Sequence, residues 1–430
     1  MTAGFTRARS TADERPRDHE VLLQPWSGPH GGVPPFDRVS IADFAPALER
    51  AMAEQLAEVD RIAGQSAPPT FENTLAALER SGRALDRVHA VYGVFSSTMS
   101  SPDLRDVERA MAPRLAAFQD RITQNVALFA RIAAVYDAAD REHLDPEQRR
   151  LAWKYHTDFV RAGARLDAAA KARLSAINQR LATLYTTFTQ NVLTDEDEQA
   201  LVLRDEADLA GLPESLRAAA AAAAAARGHP GAWVIANTRS AMDPFLTYAE
   251  RRDLREQAWR LFVDRGEAGA TDNAPVLREI LVLRAERARL LGYETHAHWR
   301  LENSMARSPA RAMELMEAVW PRAVARVRAE VADMQAVADR DGAGITIEPW
   351  DYRYYAERVR SEAYQLDAAE VRPYLQLEQL RDAMFWVAHQ LFGLRFEEVH
   401  DVPVYHPDVR VWRVLDEGTA RHVGLWYFDP

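Results

Sequence analysis

The chain has 430 residues, of which 47% are apolar and 27% charged, values typical of a globular protein with about two to four domains. Its 53 basic and 64 acidic side chains give a net charge of −11, which argues against nucleic acid or an anionic membrane as a main partner. Because the chain has no cysteine, disulfides, thiolate metal sites and a cysteine nucleophile are excluded.

The first residues, 1–21, contain several arginines but no apolar segment of the kind that directs secretion. We predict a disordered tail there and a cytoplasmic location for the protein. Nowhere do apolar residues approach the roughly 20 consecutive positions that cross a bilayer, so no membrane contact is expected.

Apolar residues recur every three or four positions over most of the chain, a pattern that predicts amphipathic helices. The segment 44–62 shows this spacing clearly. Thr70 and Asp145 are predicted N-caps, and Pro146 follows Asp145 at the first helical position, where its missing N–H costs nothing. The nine alanines of 218–226 predict an exposed helix, with a disordered linker as the alternative.

Strand signals are few and are densest near the C-terminal end. Residues 232–237 (AWVIAN) and 345–350 (ITIEPW) are predicted strands. The segment 409–414 alternates between its two faces, and the turn sequence DEG then precedes the apolar run 422–428. The sequence therefore predicts a small β-meander attached to a helical protein.

A domain break is predicted near 228–240, where glycine, proline and a strand separate two long helical blocks. We accordingly predict an N-terminal helical lobe over 22–235 and a second lobe over 236–430.

The chain has twelve histidines but no HExxH, the motif that places two zinc-binding histidines and a general base on one helix. His296, His298 and Glu302 are an alternative zinc set, but residues two apart on a helix do not share a face. For His406, near Asp408, we favour a structural or substrate-lining role over metal binding. No catalytic residue and no metal ligand is assigned in this chain.

An aromatic segment, PWDYRYYAERVR, begins at Pro349. Asp351 is a predicted N-cap, and Tyr352, Tyr354 and Tyr355 would occupy the first turn of the helix. These tyrosines either pack the core at the helix start or form a wall that binds peptides, because tyrosine offers an apolar face and a hydroxyl.

Several of these segments occur in an order that identifies a family. They are PPFDRVSIADFAPALERAM, PPTFENTLAALERSG, LGYETHAHWRLENSMARSP, PWDYRYYAERVR, and FEEVHDVPVYHPDVRVWRVLDEG followed by GLWYFDP. Together they resemble the thimet oligopeptidase and peptidyl-dipeptidase family of zinc metallopeptidases, and most closely its bacterial peptidyl-dipeptidases. The resemblance runs from about Leu22 to Pro430.

The resemblance implies a mainly α-helical, two-lobed scaffold around a deep channel, with a small antiparallel meander at the C-terminal end. In the family, zinc is held by an HExxH helix that follows the strand matching GLWYFDP, and by a later glutamate. We therefore expect this chain to be the N-terminal portion of a zinc peptidase, an incomplete scaffold that binds no zinc and is inactive by itself.

By resemblance, the strand HVGLWYF lies beside the substrate cleft, and Gly424, Leu425 and Trp426 pair with a peptide backbone by strand addition. His406 and Tyr354 are further candidates for lining the cleft. The expected partners are short oligopeptides, and we expect the complete protein to be a monomer. The alternative hypothesis is a non-catalytic peptide-binding protein on the same scaffold.

Overall fold

The computed structural model describes residues 20–139, 144–365 and 368–430, so the predicted tail lies outside the described residues except at its last two positions. The described chain is mainly α-helical, as predicted. Its α-helices are α1 Glu20–Leu23, α2 Ile41–Ala63, α3 Ala76–Glu79, α4 Arg83–Thr98, α5 Pro102–Thr123, α6 Val126–Ala138, α7 Pro146–Arg161, α8 Ala168–Glu198, α9 Glu214–Ala226, α10 Arg239–Tyr248, α11 Arg252–Val263, α12 Ala274–Leu290, α13 His296–Leu301, α14 Pro309–Arg340, α15 Tyr352–Tyr364, α16 Ala368–Val371 and α17 Leu377–Phe392. None of the described helices is long and apolar enough to span a bilayer.

Two small antiparallel sheets accompany the helices. The strands are β1 Ala200–Leu203, β2 Trp233–Ala236, β3 Leu394–Val399, β4 Arg410–Asp416 and β5 His422–Phe428. The first sheet pairs β1 with β2, and the second has the order β3-β4-β5. The predicted meander at the C-terminal end is therefore confirmed.

Contacts divide the chain into two compact units. The first unit contains Met1–Leu166 and Arg381–Pro430, and the second contains Asp167–Leu380. The lobes predicted from the sequence, 22–235 and 236–430, are a different division and stay a prediction.

Helix starts in the first unit follow the predicted capping chemistry. The backbone N–H of Gln148 donates to the Asp145 carboxylate at 2.8 Å, and Pro146 opens α7. The N–H of Asn73 donates to the Thr70 hydroxyl at 3.2 Å. The predicted apolar face of α2 is also confirmed, since Phe44 and its equivalents one turn apart are buried in the core of this unit.

The alanine run forms α9, so the helix is confirmed over the linker alternative. Ala220 and Ala224, one turn apart, are buried, whereas most of the other alanines are exposed. A four-residue spacing of small side chains lets one face of this helix pack closely while the remaining faces are solvated.

The strand predictions were correct at β2 and wrong at 345–350. No strand forms there, because the Gln335 side chain satisfies the backbone instead: its amide donates to the Ile345 carbonyl at 2.8 Å and accepts from the Ile347 N–H at 3.0 Å. The partner of β2 is β1, whose sequence, ALVL, lacks the alternation that would have identified it.

Candidate peptide-binding strand

Strand β5 is an edge strand of the second sheet. It pairs with β4 on one side, and among the described residues no strand pairs with its other side. The central cross-strand pairs are Val414 with Gly424, Arg413 with Leu425, and Trp412 with Trp426. An edge strand presents the N–H and C=O groups of alternate residues outward, so β5 offers backbone hydrogen-bonding groups to a further strand.

One face of β5 belongs to an aromatic cluster. Trp426 lies 5.3 Å from Trp412 and 5.1 Å from Phe428 between ring centroids. Phe385 of α17 stacks on Phe396 of β3 at 4.2 Å and meets Trp426 edge-on at 5.4 Å. Offset and edge-to-face ring pairs of this kind add to the stability gained by burial, so the backbone of β5 is held firmly.

The opposite face of β5 packs on the N-terminal part of the same unit. The rings of Tyr405 and Tyr427 meet Phe36 edge-on at 5.1 and 5.8 Å. Leu425 packs against a small buried cluster that includes Val33. The strand is therefore apolar because both of its faces are packed, which explains the four consecutive large side chains from Leu425 onward.

Gly424 lies at the centre of β5, and a Cβ atom built there would meet no heavy atom within 4 Å. The space over this backbone position is open, although Trp426 two residues later is packed. Gly424 thus leaves open space on one face of β5, whose frame is fixed by packing at the neighbouring positions.

A bulge accompanies this opening. Leu415 pairs with His422 and Val414 with Gly424, so Val423 has no cross-strand partner and is 49% exposed. Bulges strengthen the local twist of a strand and re-aim its side chains, and they are common at sheet edges.

Polar groups fix the ends of the meander. The Arg410 guanidinium donates to Glu398 across β3 and β4, at 2.8 Å from its Nε. The Tyr405 hydroxyl donates to the Asp429 carboxylate at 3.0 Å, just beyond β5. Burial raises the pKa of Tyr405 to about 12, and the hydrogen bond to Asp429 adds to that shift, so the phenol stays protonated at neutral pH.

The remaining cleft candidate of this unit, His406, lies in the loop before β4. Its Nδ1 accepts the backbone N–H of Asp408 at 3.3 Å, and its carbonyl accepts from Val409 at 3.1 Å. The side chain is 43% exposed. These contacts shape a turn, and a role for His406 in binding peptides stays a prediction.

Tyr354 belongs to the second unit, on α15. Its ring lies 4.3 Å from the Arg255 guanidinium and 5.1 Å from the ring of Tyr355, which is buried. Asp351 occupies the N-cap position of α15, as predicted, but its carboxylate makes no capping hydrogen bond. It accepts instead from Arg255 at 2.8 Å and from Arg252 at 2.9 Å, in a network where Asp351 and Arg255 are buried.

A cavity of about 380 Å³, which the sequence did not predict, lies in the second unit between α14 and α15. Tyr352 and Tyr364 line it, together with the charged side chains of Arg326, Glu330 and Asp333. Of the three tyrosines at the start of α15, only Tyr352 lines this cavity; Tyr355 packs the core. The helical spacing of Tyr352 and Ala356 along α15 was the available signal.

No three histidine, aspartate or glutamate side chains within the described ranges are grouped so that they could hold a metal ion. On α13, His298 is engaged by the Thr295 hydroxyl at 2.8 Å, and Glu302 accepts from the Tyr293 hydroxyl at 2.6 Å. Burial and the nearby guanidinium of Arg287 lower the pKa of His296 to about 4. An environment of positive charge disfavours a cation, so these residues do not fit a zinc ion.

The structure defines a mainly helical protein with a small sheet near its C-terminal end, whose last strand, β5, pairs with β4 and has no second partner strand in the described ranges. Residues 245–430 match Peptidase family M3. The chain is 36% identical over 407 residues to the dipeptidyl carboxypeptidase of Escherichia coli and 37% identical over 399 residues to that of Salmonella typhimurium. It is 30% identical over 402 residues to oligopeptidase A of Salmonella typhimurium.

These matches cover 94%, 92% and 92% of this chain and 59%, 58% and 59% of the respective relatives. The match to peptidase family M3 and the identity to these peptidases together support the family that the sequence motifs indicated. The chain spans about three fifths of the length of these relatives.

Proposed function

We propose that the chain is part of a zinc-dependent peptidyl-dipeptidase that removes C-terminal dipeptides from short peptides in the cytoplasm. The observation that carries this proposal is the identity to two bacterial dipeptidyl carboxypeptidases, 36% and 37%, over more than nine tenths of the chain. The similarity to oligopeptidase A is lower, at 30%, which favours dipeptide release over internal cleavage.

The part of this activity that we assign to the chain itself is substrate binding at β5. An extended peptide that lies along the outer edge of β5 satisfies the outward backbone groups of alternate residues between His422 and Phe428. Packing of Leu425 and Trp426 on the two faces keeps the edge in place, and Gly424 adds no side chain that would crowd a peptide lying there. Because the recognition uses main-chain groups, it is insensitive to peptide sequence and selects unstructured chains.

We assign no metal ligand and no catalytic residue to residues 20–139, 144–365 and 368–430, since none of the described side chains form a suitable set. In a zinc peptidase the metal activates water and polarises the scissile carbonyl. Its ligands are proposed to lie outside the chain described here. The alternative, a peptide-binding protein without catalysis, shares the β5 site and differs only in turnover.

Two measurements on the 430-residue chain test the proposal. The first is an assay of a blocked tetrapeptide with added zinc, for which we expect no turnover. Chelator-sensitive turnover would contradict our placing of the metal ligands outside this chain.

The second measurement is calorimetry with a short peptide, compared with the same peptide methylated at its backbone nitrogens. We expect millimolar binding of the first and none of the second, because methylation removes the donors that strand pairing needs. Equal binding of the two peptides would exclude strand addition while leaving the family assignment intact.

A further inference from the structure

Two groups of arginines lie on α8, α12 and α13 in the second unit. The first group is paired with carboxylates. The Arg173 guanidinium donates two hydrogen bonds, of 2.6 and 2.7 Å, to the Glu286 carboxylate. The Arg180 guanidinium donates two hydrogen bonds of the same lengths to the Glu279 carboxylate. Each pair is a bidentate clamp of opposite charges.

The second group, Arg284, Arg287 and Arg300, has only uncharged partners. Arg284 donates from Nε to the Tyr185 hydroxyl at 2.8 Å, and Arg287 donates to the amide oxygen of Asn178 at 3.2 Å. None of the three forms an ion pair with a carboxylate in the described part of the chain. Three guanidinium groups therefore lie in one region without a counter-charge.

These side chains converge on Trp299 of α13. The guanidinium carbons of Arg287 and Arg300 lie 4.6 and 5.6 Å from the indole centroid, and the ring of His296 lies 5.5 Å from it. Arg284 and Arg287 are three residues apart on α12, so they share one helix face. Tyr185 therefore contacts this basic group at Arg284, and Trp299 contacts it at Arg287 and Arg300.

Burial and neighbouring positive charges both shift pKa values in this cluster. The pKa of His296 falls to about 4 through burial, and then through Arg287, Arg284 and Arg300 in that order. Burial likewise lowers the pKa of Arg287; Tyr185 opposes that shift, and the charges of Arg284 and Arg300 add to it. The imidazole is neutral at pH 7 as a result, and its Nδ1 is buried with no hydrogen-bond partner among the described residues.

A doubly charged oxyanion matches this arrangement. Arginine forks pair with phosphate bidentately, and a half-buried setting strengthens such pairs relative to open water. A carboxylate offers two oxygens and one charge, whereas a phosphate group offers more acceptors and about two charges at pH 7. We propose that Arg284, Arg287 and Arg300, with His296, form a binding site for a phosphate group, free or carried by a small molecule. This site does not depend on the proposed peptidase function.

Calorimetric titration of the 430-residue chain with inorganic phosphate tests the site. We expect saturable binding that Arg287→Gln weakens about ten-fold or more, as expected for losing a charged hydrogen-bonding partner. Arg289→Gln is the matched control, because Arg289 is an exposed arginine of the same helix outside the cluster, and it should leave the affinity unchanged. Arg284→Gln provides a second variant should Arg287→Gln fail to fold.

Phosphoserine and acetate complete the titration. Tighter binding of phosphoserine than of phosphate would identify a phosphorylated ligand, and equal binding would identify free phosphate; either result supports the site. Acetate binding as tightly as phosphate, no saturable binding, or an equal loss in Arg289→Gln would overturn the proposal.

Discussion

Two aromatic segments were expected to line a peptide cleft, and they are held in place by different interactions. In the second unit, the segment 349–355 is held by charge: Asp351 joins two arginines, and Tyr354 stacks on one of them. In the first unit, the segment 425–428 is held by ring contacts on one face and by Phe36 and Val33 on the other. The second of these segments belongs to a strand, β5, whose outer edge pairs with no strand in the described part of the chain.

The difference shows that aromatic density alone does not define a binding surface. Tyrosines at a helix start have their carbonyl groups committed to the helix, and the few N–H groups left without a helical partner there form no strand edge. A strand at a sheet edge keeps half of its backbone groups available, whatever its side chains do. The predictions below probe this contrast, beginning with the largest expected effect.

Replacing Asp351 should lower the free energy of unfolding the most. In Asp351→Asn the buried guanidinium of Arg255 loses its charged partner, and breaking a buried pair in this way costs about 3–5 kcal/mol. Urea unfolding measures the change. Asp253→Asn, which removes an exposed pair with Arg251, is the matched control and should cost under about 1 kcal/mol. Equal losses in the two variants would refute the buried network as the main support of this segment.

Removing Trp426 should cost somewhat less. Trp426→Ala deletes contacts with Trp412, Phe428 and Phe385, and because the ring is partly exposed we expect about 2–3 kcal/mol, below the range for fully buried tryptophans. Trp386→Ala, at a tryptophan that is 63% exposed on α17, should change stability by under about 0.5 kcal/mol. Thermal unfolding followed by circular dichroism distinguishes the two, and a loss at Trp386 matching that at Trp426 would be inconsistent with this packing.

Replacing Tyr354 should lower the free energy of unfolding by less than replacing Trp426. Tyr354→Leu keeps an apolar side chain but removes the cation–π contact with Arg255, for an expected cost of about 1 kcal/mol. Tyr352→Leu is the control on the same helix, with a side chain that is 44% exposed, and should be nearly neutral. If Tyr352→Leu proved the more destabilising variant, the cavity beside α15 would matter more than the arginine contact.

The smallest expected effect is the change in the free energy of unfolding with pH. The folded pKa of His296, about 4, is below its ordinary value of 6.5, so the unfolded chain binds more protons between these values. The free energy of unfolding should therefore fall as the pH drops from about 6.5 towards 4.

His296→Gln should reduce the slope of the unfolding free energy against pH in that interval, and Arg287→Gln should reduce it partly by relieving the repulsion. Urea titrations at several pH values measure the slope. An unchanged slope in His296→Gln would mean that other groups dominate this interval.

Much of the helical scaffold could be predicted from the sequence, because local signals set it. The start of α7, at Asp145 and Pro146, and the burial of one face of α2 are determined by residues within one or two helical turns. The failures came where a distant side chain replaced a local partner. The Gln335 side chain hydrogen-bonds to the backbone of residues 345–347, where a strand was predicted. Arg252 and Arg255 bind the Asp351 carboxylate, which was expected to accept a capping hydrogen bond from α15.

The candidate site was predictable in part. The apolar run 422–428 and its place in a meander follow from alternation and turn chemistry, and the family resemblance suggested its role. The free edge of β5 and the open space at Gly424 depend on tertiary placement and were beyond the sequence. The arginine cluster around Trp299 was missed for the same reason, since its members come from two different helices, α12 and α13.

Amide hydrogen exchange of the 430-residue chain, with and without a short unblocked peptide, tests the central claim most directly. We predict that the peptide slows exchange at alternate residues of β5, between His422 and Phe428, and leaves the start of α15 unchanged. Slowed exchange at residues 352–355 with no effect on β5 would contradict the account, because it would place the peptide on the charge-held segment instead of the open edge.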